Sequence, residues 1–198
     1  MPVLLMVLIG TLLVFRPQPA GLADTLYWAA YGLWMLVEIV RVKPDRQQDE
    51  QSDRGTRWFY ALSQASVVAA GLLTCPSARP LSAAIAGGIL LAAGIALRQG
   101  AVFTLGRHYS HVARVLDNHS VVSRGPYRFI RHPAYAGMLL AHGGVAVVCV
   151  SPAAAILLFC ALLPSIVARI RVEEKLLYGL DGYAAYAQGR RRLLPGIW

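Results

Sequence analysis

The chain has 198 residues, of which 57% are hydrophobic and only 15% are charged, and its mean hydropathy is +0.51. In a typical soluble domain about a quarter of the residues are charged, so this composition argues against a water-soluble protein and indicates a polytopic membrane protein. The formal net charge of +9 does not point to nucleic acid, because the basic residues stand between apolar runs and do not cover one soluble face.

Six apolar segments follow one another along the chain, over 2–15, 24–42, 58–75, 80–97, 134–150 and 152–168. Because about 20 residues span a bilayer as a helix, the sequence predicts an all-α polytopic membrane protein with five or six transmembrane helices. The first segment lacks a basic leader, so it is interpreted as a membrane helix in preference to a signal peptide. The short turn at 75–80 predicts a helical hairpin. Only Ser151 and Pro152 separate the last two segments, which predicts a second hairpin or one broken helix.

The distribution of Lys and Arg predicts the orientation. Of the 19 such residues, five lie over 41–57, six over 98–131 and six over 169–198, and the others are Arg16 and Arg79. If the segments alternate and both termini share a side, 17 of the 19 fall on that side. The positive-inside rule makes that side the cytoplasm.

Small residues recur every four positions in the fourth apolar segment, at Ala84, Gly88, Ala92 and Ala96. In a membrane, such a stripe lets two helix backbones approach closely. We therefore predict that this face of the helix is a packing seam.

All five histidines lie between residues 108 and 142, which raises the question of a metal centre. Metal sites need a close, repeated set of ligands, whereas this stretch has one His-x-x-His, at 108–111, and few nearby acidic residues. No metal is therefore expected.

The stretch SRGPYRFIRHPAYAG, residues 123–137, predicts a stiff cationic loop. Pro133 suits the first turn of the following helix, where its missing N–H has no role, and it directs His132 towards an extended conformation. Arg131 and His132 then lie just ahead of a helix N-terminus, which favours an anion. The plain alternative is a positive-inside anchor, but the rigidity of the loop and the added hydroxyl of Tyr135 favour half of a binding site.

The other half is predicted across the second hairpin. Arg169 and Glu173 are one helical turn apart, and an ion pair accounts for both. Glu174 has no such partner, because the residues four before and four after it are uncharged. An ammonium group or ribose hydroxyls of a ligand would serve it. An anion site at 131–135 facing an acidic site at 173–174 predicts a zwitterionic, amino-acid-like cofactor that carries a sugar.

Three motifs in order, GPYRFIRHPAYAG, RIRVEEKLL and GLDGYAAYAQGRRRLLPG, resemble the pattern of the isoprenylcysteine carboxyl methyltransferase family and of the related membrane phospholipid methyltransferases. The resemblance covers residues 98–198 and implies that they form a C-terminal catalytic region, with 1–97 as N-terminal transmembrane helices of one integrated domain. It also implies S-adenosyl-L-methionine bound at the cytosolic face and a lipid or prenylated substrate from the bilayer. A soluble Rossmann-type methyltransferase is excluded because no glycine-rich turn follows a β-strand.

Site residues follow from this resemblance. The cofactor-binding residues that it implies are Gly125, Tyr127, Arg131, His132, Pro133, Tyr135, Glu173 and Glu174, with His111, Leu116 and Val121 in a looser upstream match. The neighbouring arginine of the family matches Arg171 or Arg169. Arg171 is our candidate to hold a carboxylate acceptor, and Glu174 would accept the proton of an amine acceptor.

The sequence therefore predicts a membrane S-adenosylmethionine-dependent methyltransferase, similar to a protein-S-isoprenylcysteine O-methyltransferase. Carboxyl O-methylation of an isoprenoid acid ranks ahead of N-methylation of a phospholipid. The alternatives are a sterol or enone reductase, in which Arg190–Arg192 would bind the 2′-phosphate of NADPH, and a scaffold, which would have no use for Glu174. The composition suggests the inner membrane of a bacterial cell, with the active site facing the cytoplasm, and no nucleic-acid or metal partner is expected.

Overall fold

The structure, a computed structural model, describes residues 22–41, 55–106, 121–194 and 198. The predicted first helix, over 2–15, lies outside these residues. Within the described part the backbone forms helices and turns, and an isolated parallel bridge between Ile130 and Arg191 is the one β-type pairing there. The predicted all-α class is confirmed for these residues.

Six α-helices can be followed through the described residues: α1 (Leu22–Arg41), α2 (Thr56–Thr74), α3 (Leu81–Leu105), α4 (Pro133–Val148), α5 (Pro152–Leu177) and α6 (Tyr183–Gln188). A 3₁₀ turn, Gly125–Arg128, comes before α4, and α5 contains a π-helical turn at Leu158–Leu162. The predicted apolar segments match α1 to α5. The boundary predicted after residue 97 falls inside α3, which continues through it without a break.

Two of these helices, α3 and α5, are long and apolar enough to cross a bilayer, and α4 is apolar but has 16 residues. Much of their apolar surface faces outwards: Leu81, Ile85 and Ile89 of α3 share one face and are 74%, 54% and 63% exposed. In water, an apolar face of this extent would drive association, whereas lipid covers it without cost. The chain is an integral membrane protein, and the number of crossings stays a prediction.

The seam between α3 and α4 is lined by glycines of both helices. A Cβ on Gly94 would lie 2.6 Å from the carbonyl oxygen of Gly137, and a Cβ on Gly87 would lie 2.8 Å from that of Gly144. Our prediction that the stripe containing Gly88 forms the seam is wrong, since a Cβ there would meet nothing within 4 Å. The neighbouring face is used because only glycine lets the two backbones come this close.

The turn between α2 and α3 is as short as predicted, but α3 packs chiefly on α4, while α2 packs on α5. A hydrogen bond of 2.6 Å between the hydroxyls of Thr74 and Ser151 joins the end of α2 to the start of α5. The second hairpin is present as predicted, since α5 runs back along α4. It brings the end of α5 to the start of α4.

A buried ion pair ties α1 to α3 at the same end of the bundle. The guanidinium of Arg98 donates to both carboxylate oxygens of Glu38, at 2.9 and 2.8 Å, and the side chains are 5% and 7% exposed. Gln99 donates to the same carboxylate at 2.7 Å. Arg98 also lies 3.4 Å from the carbonyl oxygen of Ala134, in the first turn of α4. The pair therefore joins three helices beside the loop that precedes α4, and sequence reasoning missed it.

Candidate functional site

The loop before α4 has the stiff backbone that its sequence predicts. Gly125 opens it with a positive φ of 57°, and a Cβ there would lie 2.7 Å from the hydroxyl of Thr104 at the end of α3. Pro133 is the first residue of α4, and His132 before it is non-helical, with φ −125° and ψ 59°. The position of this loop is therefore fixed by a glycine at one end and a proline at the other.

Two guanidinium groups and one imidazole converge on the carboxylate of Glu174 near the end of α5. Arg131 Nη1 donates to Oε1 at 2.7 Å, His132 Nε2 lies 3.3 Å from the same oxygen, and Arg192 Nε donates to Oε2 at 2.8 Å. The Glu174 side chain is only 6% exposed. A carboxylate this deeply buried needs such partners to stay ionised.

Glu173, the adjacent residue, shares His132 with Glu174 and has two further partners, Tyr135 and Arg169. The hydroxyl of Tyr135 donates to Glu173 Oε1, and Arg169 Nε donates to the same hydroxyl at 3.0 Å. Arg169 also makes the predicted i,i+4 ion pair with Glu173, at 3.9 Å, and His132 Nδ1 lies 3.7 Å from Glu173 Oε2. The imidazole of His132 thus bridges the two glutamates.

The C-terminal segment, which consists of α6 and the residues after it up to Leu194, packs against the loop before α4. The backbone N–H groups of Arg131 and His132 donate to the carbonyl oxygens of Arg191 and Arg192, at 2.8 and 2.9 Å. From α6, the hydroxyl of Tyr186 donates to the carbonyl oxygen of Tyr127 at 2.9 Å. This segment therefore fixes the backbone of the loop from the outside, and sequence reasoning did not predict that contact.

Tyr183 and Tyr186 line the inner side of α6. Burial, aided by the neighbouring Glu174 carboxylate, raises the pKa of Tyr183, and burial raises the pKa of Tyr186 to about 12. Both hydroxyls therefore stay protonated at physiological pH. The Tyr183 hydroxyl and Arg131 Nε are buried without a hydrogen-bond partner among the described residues, which leaves two donors beside Glu174 for a ligand.

The other predicted cofactor-binding residues fall into four groups. Arg131, His132 and Tyr135 contact the glutamate pair, while Gly125, Tyr127 and Pro133 hold the loop, as described above. Val121 packs against the aromatic cluster of Tyr127, Tyr183 and Tyr186. His111 and Leu116 lie outside the described residues.

The structure does not support Arg171 as our candidate arginine. Arg171 is exposed, whereas the side chain of Arg169 is 3% exposed and contacts Tyr135 and Glu173. Glu174 has no i,i+4 partner on α5, as the sequence indicated, but the loop and the C-terminal segment bring Arg131, His132 and Arg192 to it. The i,i+4 rule compares residues within one helix, so it does not report contacts between α5 and other segments.

Residues 87–179 match the model of the isoprenylcysteine carboxyl methyltransferase (ICMT) family. This part, 93 of the 198 residues, is similar to the members of that family. It contains the loop before α4, the second hairpin and both glutamates. The match begins earlier than the predicted residue 98 and ends before α6, so Tyr183, Tyr186 and Arg192 lie beyond it.

Curated relatives agree with this ICMT assignment. The chain is 34% identical over 113 residues to a probable protein-S-isoprenylcysteine O-methyltransferase of Oryza sativa subsp. indica, covering 55% of this chain and 59% of that protein. It is 31% identical over 113 residues to protein-S-isoprenylcysteine O-methyltransferase A of Arabidopsis thaliana, covering 55% and 57%. The human protein-S-isoprenylcysteine O-methyltransferase is 36% identical over 55 residues, covering 27% and 19%. The chain therefore spans less than two thirds of these relatives.

Proposed function

We propose that the chain is an S-adenosylmethionine-dependent methyltransferase whose acceptor is a lipid-embedded carboxylate, of isoprenylcysteine type or another isoprenoid acid. The observation that carries the proposal is the contact of Glu173 and Glu174 with Arg131, His132 and Tyr135 at the start of α4. These residues lie inside the stretch that matches the ICMT family, and the curated relatives carry the name of that activity.

The residues present fit a zwitterionic cofactor. Glu174 would hold its ammonium group. Arg131 Nε, which has no hydrogen-bond partner among the described residues, would face its carboxylate, and the Tyr183 hydroxyl, which has none there either, would serve a ribose oxygen. When bound, S-adenosylmethionine supplies a methyl group that its sulfonium already activates. The chain then has to hold the acceptor in line with that methyl and exclude water.

The contacts that the two glutamates make favour a carboxylate acceptor over a phospholipid amine. A carboxylate is ionised at pH 7 and needs no base, whereas an ammonium must lose a proton before it attacks. Glu174 is held by Arg131, Arg192 and His132, and Glu173 accepts from Tyr135, so each carboxylate is poorly suited to accept that proton. N-methylation of a phospholipid amine is the second candidate.

Arg169 takes the role that the sequence gave to Arg171. Its guanidinium is buried at 3% exposure, next to Tyr135 and Glu173, and would orient the acceptor carboxylate. An arginine is suited to this role because its planar group donates two parallel hydrogen bonds.

Replacing Arg169 by Lys is expected to lower kcat/KM for S-farnesylcysteine by about tenfold or more, because the bidentate donor is lost. The measurement is transfer of a labelled methyl group by purified protein, with KM and kcat determined separately for each substrate. Arg171→Lys is the control and should change kcat/KM less than about twofold, as an exposed site does. Equal losses in the two variants would contradict the assignment.

A nicotinamide-dependent reductase is the remaining alternative. It would need the Arg190–Arg192 triplet for a 2′-phosphate. Arg190 donates to the carbonyl oxygens of Arg128 and Tyr186, at 3.1 and 2.9 Å. The guanidinium of Arg190 is thus engaged within the protein, which counts against this alternative.

The experiment that tests the proposed cofactor is thermal unfolding of detergent-purified protein with S-adenosylhomocysteine or with NADPH. Saturation at one hundred times Kd contributes about 2.7 kcal/mol, so S-adenosylhomocysteine should raise Tm by about 5 °C or more. NADPH should leave Tm unchanged. A rise with NADPH alone would overturn the methyltransferase proposal in favour of the reductase.

The orientation is proposed from charge alone, with the face that carries the site on the cytoplasmic side. A bacterial inner membrane has no support from the relatives named above, which are plant and human proteins. Labelling of a single cysteine at the exposed position of Arg171, in intact and in permeabilised cells, would test the orientation.

A further inference from the structure

We propose that Arg192 occupies the place on Glu174 that the ammonium group of the cofactor takes, so that this arginine competes with the cofactor and sets its affinity. The inference rests on the proposed function, in which Glu174 receives that ammonium. It starts from a conflict in the site: a carboxylate that should bind an external cation is already held by Arg131, His132 and Arg192 of its own chain. One of them has to give way.

The exposed fractions of the three side chains, and the rigidity of the segments that carry them, identify which group the cofactor displaces. The side chains of Arg131 and His132 are 10% and 5% exposed and belong to the stiff loop, whereas the side chain of Arg192 is 32% exposed. Among the residues that the structure describes, Arg192 alone contacts Oε2, so its departure frees one oxygen and leaves Oε1 bound to Arg131 and His132. Solvent reaches the Arg192 side of this ion pair, so a ligand ammonium group can replace the guanidinium while Oε2 keeps a cationic partner.

The guanidinium of Arg192 also has a second contact, which it can keep after it leaves Glu174. It lies over the ring of Trp198, 5.0 Å from the ring centroid, and an arginine is well suited to stacking on indole. The backbone pairing of this segment with the loop uses the carbonyl oxygen of Arg192 and not its side chain. The side chain can therefore leave Glu174 while the segment stays in place.

The competition predicts that removing Arg192 improves cofactor binding. Arg192→Gln should lower the Kd of S-adenosylhomocysteine by about three- to tenfold, since the ammonium no longer displaces an ion pair. Arg191→Gln is the matched control: it removes the same charge from the adjacent exposed position and should change Kd less than about twofold. Arg192→Lys keeps the cation and should fall between the wild type and Arg192→Gln.

The experiment is calorimetry on detergent-purified full-length protein with two probes, S-adenosylhomocysteine and 5′-methylthioadenosine. The second probe lacks the amino-acid part, so Arg192→Gln should leave its Kd unchanged. Unchanged or weaker binding of S-adenosylhomocysteine by Arg192→Gln overturns the inference, and so does an equal gain for both probes. Thermal unfolding without ligand checks that each variant is folded.

Failure of the proposed function gives a different result. If neither the wild type nor any variant binds S-adenosylhomocysteine, the proposed cofactor is wrong, and the inference is lost with it. If the wild type binds and Glu174→Gln weakens binding by about tenfold or more, Glu174 holds the cofactor as proposed. The comparison of Arg192→Gln with the wild type then decides the inference by itself.

Discussion

Replacing Glu38 by Met is expected to destabilise the protein by about 3–5 kcal/mol, because the Arg98 guanidinium stays buried without its carboxylate. Both oxygens of Glu38 accept from Arg98, and the side chains are 7% and 5% exposed, so solvent cannot take over the role of Glu38. The measurement is the midpoint and slope of unfolding in detergent micelles. An effect of this size is a large fraction of the usual free energy of unfolding of a domain.

The double variant Glu38→Met/Arg98→Met separates the ion pair from simple packing. Two apolar side chains of similar size leave no buried charge, so most of the lost stability should return. Lys175→Met removes an exposed charge and should change stability by less than about 0.5 kcal/mol. A double variant as unstable as the single one would show that the contact does not depend on charge pairing.

The same variants should also affect the cofactor site. Arg98 lies 3.4 Å from the carbonyl oxygen of Ala134, in the turn that begins α4, next to His132 and Pro133. Loss of the ion pair loosens the contact of α1 and α3 with that turn. A fall in affinity for S-adenosylhomocysteine in the single variant, with recovery in the double, would show that the pair positions the loop.

The site was predictable where its residues are close in sequence. Pro133 after Arg131 and His132 fixes a helix start, and a carboxylate without an i,i+4 partner marks Glu174, so local rules identified both halves of the cluster. Arg192 was missed as a partner of Glu174 because its contact depends on a parallel bridge between two loops. No periodicity in the sequence reports such a pairing.

Long-range helix packing was predictable only in part. The turn lengths and the second hairpin follow from the chain, but the choice of seam does not, because α3 carries small residues on two neighbouring faces. The face with Gly87 and Gly94 is used because α4 presents Gly137 and Gly144 at matching heights. The ion pair of Glu38 and Arg98 follows from the same alignment of helices, although an ionisable residue at the end of an apolar segment is itself a signal.

Gly137→Ala tests that seam and is expected to destabilise the protein by about 1–3 kcal/mol, as overpacking does in a close-packed core. The added Cβ would lie 2.6 Å from the carbonyl oxygen of Gly94 and 2.7 Å from the backbone nitrogen of Arg98. Both obstacles are backbone atoms, so no side chain can rotate away and the two helices have to separate.

Gly143→Ala, on the same helix, is the control: its Cβ would meet only Leu158 at 3.9 Å, and the better helix propensity of Ala should stabilise the protein by up to about 1 kcal/mol. Since the separation displaces the start of α4, Gly137→Ala should also bind S-adenosylhomocysteine more weakly than Gly143→Ala. Equal stability of the two variants would mean that α3 and α4 are not in backbone contact at Gly137, and that another contact positions the loop with Arg131 and His132.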